Sequence, residues 1–421
     1  MVSNRESLKA WLRLSLTPSV GNITARALLK AFGLPEMIFQ KSAAQLQALV
    51  SPAVIHQLCL EPEGLEDALN TTWDWLQKPA PRHAAMTLHK RLLTLADTDY
   101  PSSLMLTPDP PCLLYVMGQT QHLHLLSPAA FKAPMAVAVV GSRNPTPQGR
   151  INAHEFASSL AQAGLTVISG LALGVDTEAH RGALQGGTLA NPLRTVAVVG
   201  TGLDRVYPHQ NHALALSIAA HGLLISEYPL NTPPITSNFP KRNRLIAGLS
   251  QGCLVVEAAA RSGSLITAKQ AIDMGKEVFA IPGSIHTTVA KGCHDLIKQG
   301  AKLVDCAQDI LEELKDLPVI AQVSTETQKS TSRSEIDADV EIAYGLLAKN
   351  AQSLQVLDHL GQDPVGLDEL QIRSGLPTAQ LQAELFQLEL NGALGRLPGG
   401  LYQKLKRPLP RHPNNPQSLN V

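Results

Sequence analysis

The chain has 421 residues, of which 44% are apolar, 17% charged and only 4% aromatic, with 35 Lys and Arg balancing 35 Asp and Glu. That composition excludes an intrinsically disordered chain and calls for two to four globular domains of α/β type. A formal net charge of zero means that any polyanion must be held by a local patch.

The amino terminus, Met1-Val-Ser-Asn-Arg-Glu6, lacks signal-peptide character, and no apolar run reaches the length of a membrane span. A cytoplasmic protein without membrane insertion is expected. Residues 1–86 read as a helical domain. Within it, Leu16-Thr-Pro-Ser-Val-Gly21 and the following apolar residues at helical spacing, closed by Gly33, fit a helical hairpin. Such turns can hold a phosphate, and a helical packing module is the favoured reading. From Thr87 to Gly118 the text becomes strand-like and proline-rich, which predicts extra strands leading into a main sheet. Ser127–Pro134 reads as a short connection.

From Ala136 a β–α rhythm is plain. Strands are predicted over Ala136–Val140, Leu165–Ile168, Thr195–Val199, Leu223–Ile225, Cys253–Val256 and Glu277–Ile281, nearly all ending in Gly or Ser. Alternating strands and helices of this size make a doubly wound parallel sheet over 87–315, whose turns converge on a crevice at the carboxyl ends of the strands. A Gln-, Ser- and Thr-rich linker is expected over 316–340. Helices near Ser353–Leu360, Leu367–Ser374 and Thr378–Asn391, followed by the glycine-rich Gly395–Tyr402, predict a winged helix over 341–407. The Pro- and Asn-rich residues 408–421 read as a disordered tail.

Several turns carry candidate chemistry. Gly141-Ser-Arg143 combines a tight turn, a hydroxyl, a guanidinium and a helix start, which suits a phosphate. Arg261-Ser-Gly-Ser264 opens a helix after a buried strand and also suits an anion. Gly200-Thr-Gly-Leu-Asp-Arg205 has Arg where a dinucleotide fingerprint needs its third Gly, which argues against NAD. Asp176 reads as a cap, and Glu257 has no obvious acid–base companion. Five cysteines (59, 112, 253, 293, 306) form no CxxC pair and no metal spacing, and the histidines form no HExxH, so no metal or cofactor is expected. The strongest signal is Asn238-Phe-Pro-Lys-Arg-Asn-Arg244, where an aromatic that can stack a base sits beside three cations that can hold a backbone.

These motifs recur in order in a known family. Gly141-Ser-Arg143, Ser169-Gly-Leu-Ala-Leu-Gly-Val-Asp176, Gly200–Asp204 with Tyr207-Pro208, Ser226-Glu-Tyr-Pro229, Phe239-Pro-x-Arg-Asn-Arg-Leu-Ile-Ala-Gly248, Arg261–Thr267 and Ile281-Pro-Gly-Ser284 resemble the DprA/Smf family over about 90–315. The resemblance implies an extended Rossmann fold, a SAM- or helix-hairpin-helix-like amino-terminal domain and a carboxyl-terminal winged helix. It implies a non-enzymatic homodimer that binds and protects single-stranded DNA in natural transformation and loads RecA onto it, with single-strand-binding protein as a further partner. The strand-binding set so expected is Gly141, Ser142, Arg143, Gly170, Phe239, Lys241, Arg242, Asn243, Arg244, Ser262, Gly263 and Ser264, with His294 and Ile297 in the dimer contact. Relatives often place a lysine after Tyr-Pro, whereas here His209 or His212 stands nearby. The alternative is a Rossmann hydrolase resembling the phosphoribohydrolases, whose Gly-rich turn carries a Glu that 261–270 lacks.

Charge follows the same division. Residues 135–305 hold 14 Lys and Arg against 10 Asp and Glu, whereas 353–405 hold 3 against 6. Thr378–Asn391 carries Glu384 and Glu389 without a cation, so the winged helix reads as a protein-contact module.

Overall fold

A computed structural model of the chain describes residues 4–80, 82–83, 86–123, 135–188, 193–315, 356–357, 359–360, 365–390, 393–397 and 401–404. The expected linker over 316–340, the tail over 408–421 and the Ser127–Pro134 connection lie outside these residues. The described residues belong to two compact units.

The first unit opens with six helices, α1 (Arg5–Leu16), α2 (Asn22–Phe32), α3 (Pro35–Ile38), α4 (Ala43–Leu46), α5 (Pro52–Cys59) and α6 (Leu65–Gln77). Their starts follow local rules. Asn4 accepts the Ser7 N–H at 2.8 Å, Pro35 and Pro52 stand in first turns, and Ser42 with Gln45 forms a capping box. A small hairpin follows, β1 (Arg82–His83) with β2 (Met86–Thr87), and the expected boundary at 86/87 falls inside it.

The helices do not stand apart from the sheet. Leu8, Trp11, Leu12 and Leu28 share one apolar cluster with Tyr115, Val199 and Ile218. Trp75 meets Tyr115 edge-on at 5.9 Å, and the Tyr115 hydroxyl lies 3.3 Å from Thr72 Oγ1. Such an aromatic pair adds roughly 1 kcal/mol to the area buried.

The sheet is built from β3 (His89–Thr94), β4 (Leu113–Gly118), β5 (Ala136–Val140), β6 (Thr166–Ser169), β7 (Thr195–Val198), β8 (Leu223–Ser226), β9 (Gly252–Val255), β10 (Glu277–Ala280) and β11 (Lys302–Leu303). Short helices α7 (Ser102–Met105) and α8 (Thr120–Leu123) flank β4, and α9 (Pro147–Gln162), α10 (Val175–Gly186), α11 (His212–His221), α12 (Asn238–Leu249), α13 (Ser264–Asp273), α14 (Lys291–Lys298) and α15 (Ala307–Lys315) follow the later strands. Strand order is β11-β10-β9-β5-β6-β7-β8-β4-β3. Strands β5 to β11 run parallel, and the predicted extra strands β3 and β4 join antiparallel at the β8 edge. Because β5 pairs with both β6 and β9, the chain reverses its direction of travel there, which makes the β5/β9 boundary the switch point. The central strands are buried along their whole length, so their residues are mostly apolar instead of alternating, with Thr or Ser only at strand ends.

Two glycines set how closely α10 packs on α9. A Cβ at Gly182 would overlap the His154 carbonyl oxygen, and one at Gly186 the Ser158 carbonyl oxygen. At the far end of α12, Lys276 Nζ donates to Ala247 O at 2.7 Å, Gly248 O at 2.8 Å and Ser250 O. Burial lowers this lysine to about 8, yet the cation still closes the negative end of the helix.

The second unit holds β12 (Val365–Gly366), helices Leu367–Ser374 and Thr378–Leu390, then β13 (Leu394–Leu397) and β14 (Leu401–Lys404), with strand order β12-β14-β13. Gly375, at φ 67°, lets the chain turn left-handed between the two helices. These are the last two helices and the hairpin of the predicted winged helix, and the helix expected over Ser353–Leu360 lies largely outside the described residues. Glu384 is only 9% exposed and packs inward, so Glu389 alone of the two acids faces solvent.

Gly182→Ala should lower stability by about 2 kcal/mol, even though Ala gains up to about 1 kcal/mol of helix propensity, because α9 backbone occupies the space a methyl needs. Urea unfolding with an unchanged m value would show it. A gain in stability would mean the helices can part freely.

Candidate nucleic-acid interface

The turn after β5 is locked by its own backbone. Ser142 N–H donates to Glu257 O at 2.7 Å, the Val175 N–H donates to Ser142 O at 3.1 Å, and Ser142 Oγ accepts the Asn144 N–H at 3.1 Å. A Cβ at Gly141 would lie 2.7 Å from Val175 Cγ2 and 2.9 Å from Glu257 O, so only glycine fits. The switch point is therefore rigid, and Arg143 leaves it into solvent. Its guanidinium lies 5.7 Å over the ring of Phe239.

Phe239 belongs to the first turn of α12. The preceding Asn238, 8% exposed, donates Nδ2–H to Gly200 O at 3.4 Å, while its carbonyl accepts from the Tyr228 hydroxyl at 3.0 Å. Those bonds place the Phe239 ring against Gly200, where a Cβ would come within 3.0 Å of Cδ1. The Tyr207 ring sits beside it, 5.6 Å away and tilted by 37°, just before the cis Pro208. Tyr207 is 46% exposed. Arg143, Phe239 and Tyr207 thus form an aromatic surface with a cation on it. Sequence reasoning names Tyr207 only within a motif, and the proline that follows it gives no sign of the stacking partner. His209 and His212, also exposed, pair with each other at 6.1 Å.

The cluster over 241–244 is not one cationic face. Arg242 is 4% exposed and donates Nη1–H to Gly170 O at 2.8 Å and also to Val198 O. Asp176 lies against it, with Oδ2 accepting the Gly170 N–H at 3.1 Å and the Ala172 N–H at 3.3 Å. Burial lowers Arg242 to about 10, which leaves it protonated at neutral pH. Burial likewise raises Asp176, and Arg242 pulls it back. Asp176 thus caps loop amides, as expected of a cap, but those of the preceding turn and not of its own helix. Gly170 is buried beneath the pair, since a Cβ there would lie 2.6 Å from Arg242 Nη2.

Arg244 is also neutralised. It meets Glu227 through Nη2 and Asp109 through Nε at 3.2 Å, and its side chain is 15% exposed. Asn243 accepts from Arg242 Nε and donates to Gly263 O, both at 3.3 Å, which ties α12 to the turn opening α13. In that turn Gly263 is exposed and the Ser262 and Ser264 hydroxyls lie 2.7 Å apart. Of the three cations read from this stretch, only Lys241 is exposed. Arg242 is built into the fold beneath the strand ends, whereas Arg244 is paired with Glu227 and Asp109.

The other candidate contact lies elsewhere. His294 Nε2 is 3.0 Å from Gly283 O, and Ile297 packs half-buried on the core. Near it in sequence, Ile285 is 72% exposed and Leu303, on edge strand β11, 49%. Among the described residues no helix is long and apolar enough to cross a membrane.

Known proteins resemble this chain in sequence and in fold. The family described as DNA recombination-mediator protein A matches residues 91–315, and the DprA winged helix domain matches 346–400. Protein Smf of Escherichia coli (strain K12) is 37% identical, over 79% of this chain and 80% of that protein. The DNA processing protein DprA of Streptococcus pneumoniae is 45% identical, over 53% of this chain and 73% of that protein. The X-ray structure of DNA processing protein A from Streptococcus pneumoniae superposes with a TM-score of 0.58 at 36% identity, covering 74% of this chain and 99% of that one.

Arg242→Gln should cost about 3–5 kcal/mol of stability, because Asp176 is left buried without its cation. Lys241→Gln should stay within about 0.5 kcal/mol of the parent. Chemical denaturation separates the two, and an Arg242→Gln protein as stable as the parent would show that the buried pair is not what holds the strand ends.

Proposed function

Because the chain belongs to the DprA/Smf family of DNA recombination-mediator proteins, we propose that it binds single-stranded DNA, protects incoming strands during natural transformation and loads RecA onto them. The observation that carries this reading is the Arg143–Phe239–Tyr207 surface at the switch point, with Lys241 on the same turn of α12 as Phe239. Tyr207 is exposed and Phe239 half-buried, and a ring with one open face can stack only on a base whose own face is free. In a duplex those faces are covered by neighbours, so such a surface favours single strands. Arg143 and Lys241 supply the sequence-independent attraction to phosphates.

The protein acts without catalysis in this reading. Asp176 is engaged by two loop amides and Arg242, and the turn over 261–270 carries no carboxylate of the kind the hydrolase alternative needs. Homodimerisation runs through the part of the chain that holds α14, with His294 and Ile297, and β11, with exposed Leu303, and Ile285 in the loop after β10 adds exposed apolar surface. The winged helix serves a protein partner, RecA or single-strand-binding protein. Ile372, 84% exposed, and Phe386, 53% exposed, provide apolar contact on a unit with little positive charge. A cytoplasmic location accords with these partners.

Replacing Arg143 and Lys241 together by Gln should flatten the plot of log affinity against log salt by about 1.4, since each phosphate no longer neutralised removes about 0.7 from the slope. Phe239→Ala should cost on the order of 1–3 kcal/mol in affinity with the slope nearly unchanged. Anisotropy titrations at several salt concentrations measure both, and a parent-like slope in the folded double variant would remove the site from this crevice. RecA nucleation on strands coated with single-strand-binding protein should accelerate as the protein is titrated in. An unchanged nucleation rate would leave strand binding standing and end the loading role.

A further inference from the structure

A cavity of about 430 Å³ opens beside α12, lined by Asn22, Asp109, Glu227, Lys241, Arg244 and Gln270 among others. Its volume suits one nucleobase with part of its sugar. Lys241 and Arg244, three residues apart, share a helix face, while Phe239 projects about 200° around the helix from Lys241. The cavity and the stacking surface therefore flank the same turn of α12.

The cavity's polar groups do not balance internally. The Glu227 side chain is 11% exposed, and one of its oxygens takes the Arg244 guanidinium. Its other oxygen, Oε1, is buried and has no hydrogen-bond partner among the described residues, and Gln270 Oε1 is in the same position. A buried charged acceptor without a donor is costly, so a small turn of the Glu227 side chain that brings Oε1 from its closed position to a ligand's donors in the cavity would be favoured. Burial pushes the Glu227 carboxyl up, with Arg244 pulling it back, and added donors would act in Arg244's direction. Lys241 contributes an ammonium to the cavity lining.

Two adjacent donors beside one acceptor is the pattern of guanine alone among the four DNA bases: N2–H2 and N1–H beside O6. Adenine and cytosine offer one amino group next to a ring acceptor, and thymine a single N–H between carbonyls. Asp109 and Glu227 would repel a phosphate, so the base and not the backbone belongs here.

We propose that this cavity receives a single guanine from a bound strand, its N1–H and N2 amino group donating to the Glu227 carboxylate and its O6 accepting one N–H of Lys241, whose other two donors stay free for a neighbouring phosphate outside the cavity. The proposal rests on the strand-binding reading above and adds a base preference to it. A purely electrostatic and stacking surface would have none.

The test uses the full chain and oligo-dT strands of about 16 nucleotides carrying one central dG, deoxyinosine, 7-deaza-dG or dA. The dG strand should bind roughly tenfold more tightly than plain dT, the scale of one good base contact. Deoxyinosine, which lacks the N2 amino group, should lose most of that gain, and 7-deaza-dG, whose Watson–Crick edge is intact, should keep it. Glu227→Gln should level the dG and dT strands. Should that variant fail to fold, the dG-to-inosine comparison on the parent protein carries the test. Binding of all strands within about twofold overturns the guanine pocket alone, as does a folded Glu227→Gln protein that keeps the preference. If no strand binds at all, the strand-binding reading fails first. Binding of free dGMP without any preference among strands would also overturn the proposal, in favour of a free-nucleotide site.

Discussion

The buried Arg242–Asp176 pair is the interaction on which the carboxyl-end crevice depends. A guanidinium out of water is tolerable only with its donors met and a counter-charge close by, and both conditions hold here. Its donors reach the carbonyls of Gly170 and Val198, which end the paths of β6 and β7, and Asp176 gathers the amides of the loop between β6 and α10. One side chain of α12 thereby fixes two strand ends, a loop and its own helix. The first turn of α12, which carries Phe239 and Lys241, inherits its position from that arrangement.

This accounts for how a chain of zero net charge can meet a polyanion. Most cations near the crevice are internally compensated, Arg242 by Asp176 and Arg244 by Glu227 and Asp109. What remains there for solvent among the described residues is sparse: Arg143 over an aromatic ring, Lys241 one turn away from Arg244, and Arg261 in the turn that opens α13. Few free charges with a stacking surface favour contacts that need an unpaired base. A dense cationic groove would hold duplex as readily.

The amino-terminal helices contribute to the same end of the molecule. Arg26 donates to Thr107 O at 3.1 Å, and Asn22, at the start of α2, reaches both the Cys112 N–H and the wall of the cavity beside Glu227. The turn at Val20-Gly21, which the sequence presents as a packing feature, thus brings a polar residue to the site. Packing and site-building are here the same event, because one apolar cluster runs from α1 through the sheet.

Sequence alone determined the elements and their order. Short apolar runs closed by Gly or Ser can be little else than buried parallel strands, and β5 to β10 lie within a residue or so of the predicted spans. The winged helix was legible for a similar reason, since the helical periodicity and the glycines at its turns are local properties. The chemistry of the Lys241–Arg244 cluster was not legible. A run of cations reports charge, not what faces it, and the partners of Arg242 stand 72 and 44 residues away in the chain. Glu384 reads as a surface acid yet is buried, and Gly182 and Gly186 reveal their purpose only when α9 is laid against them. Burial and pairing depend on contacts between distant segments, so only the tertiary structure could decide which charged groups hold the fold and which remain free to bind.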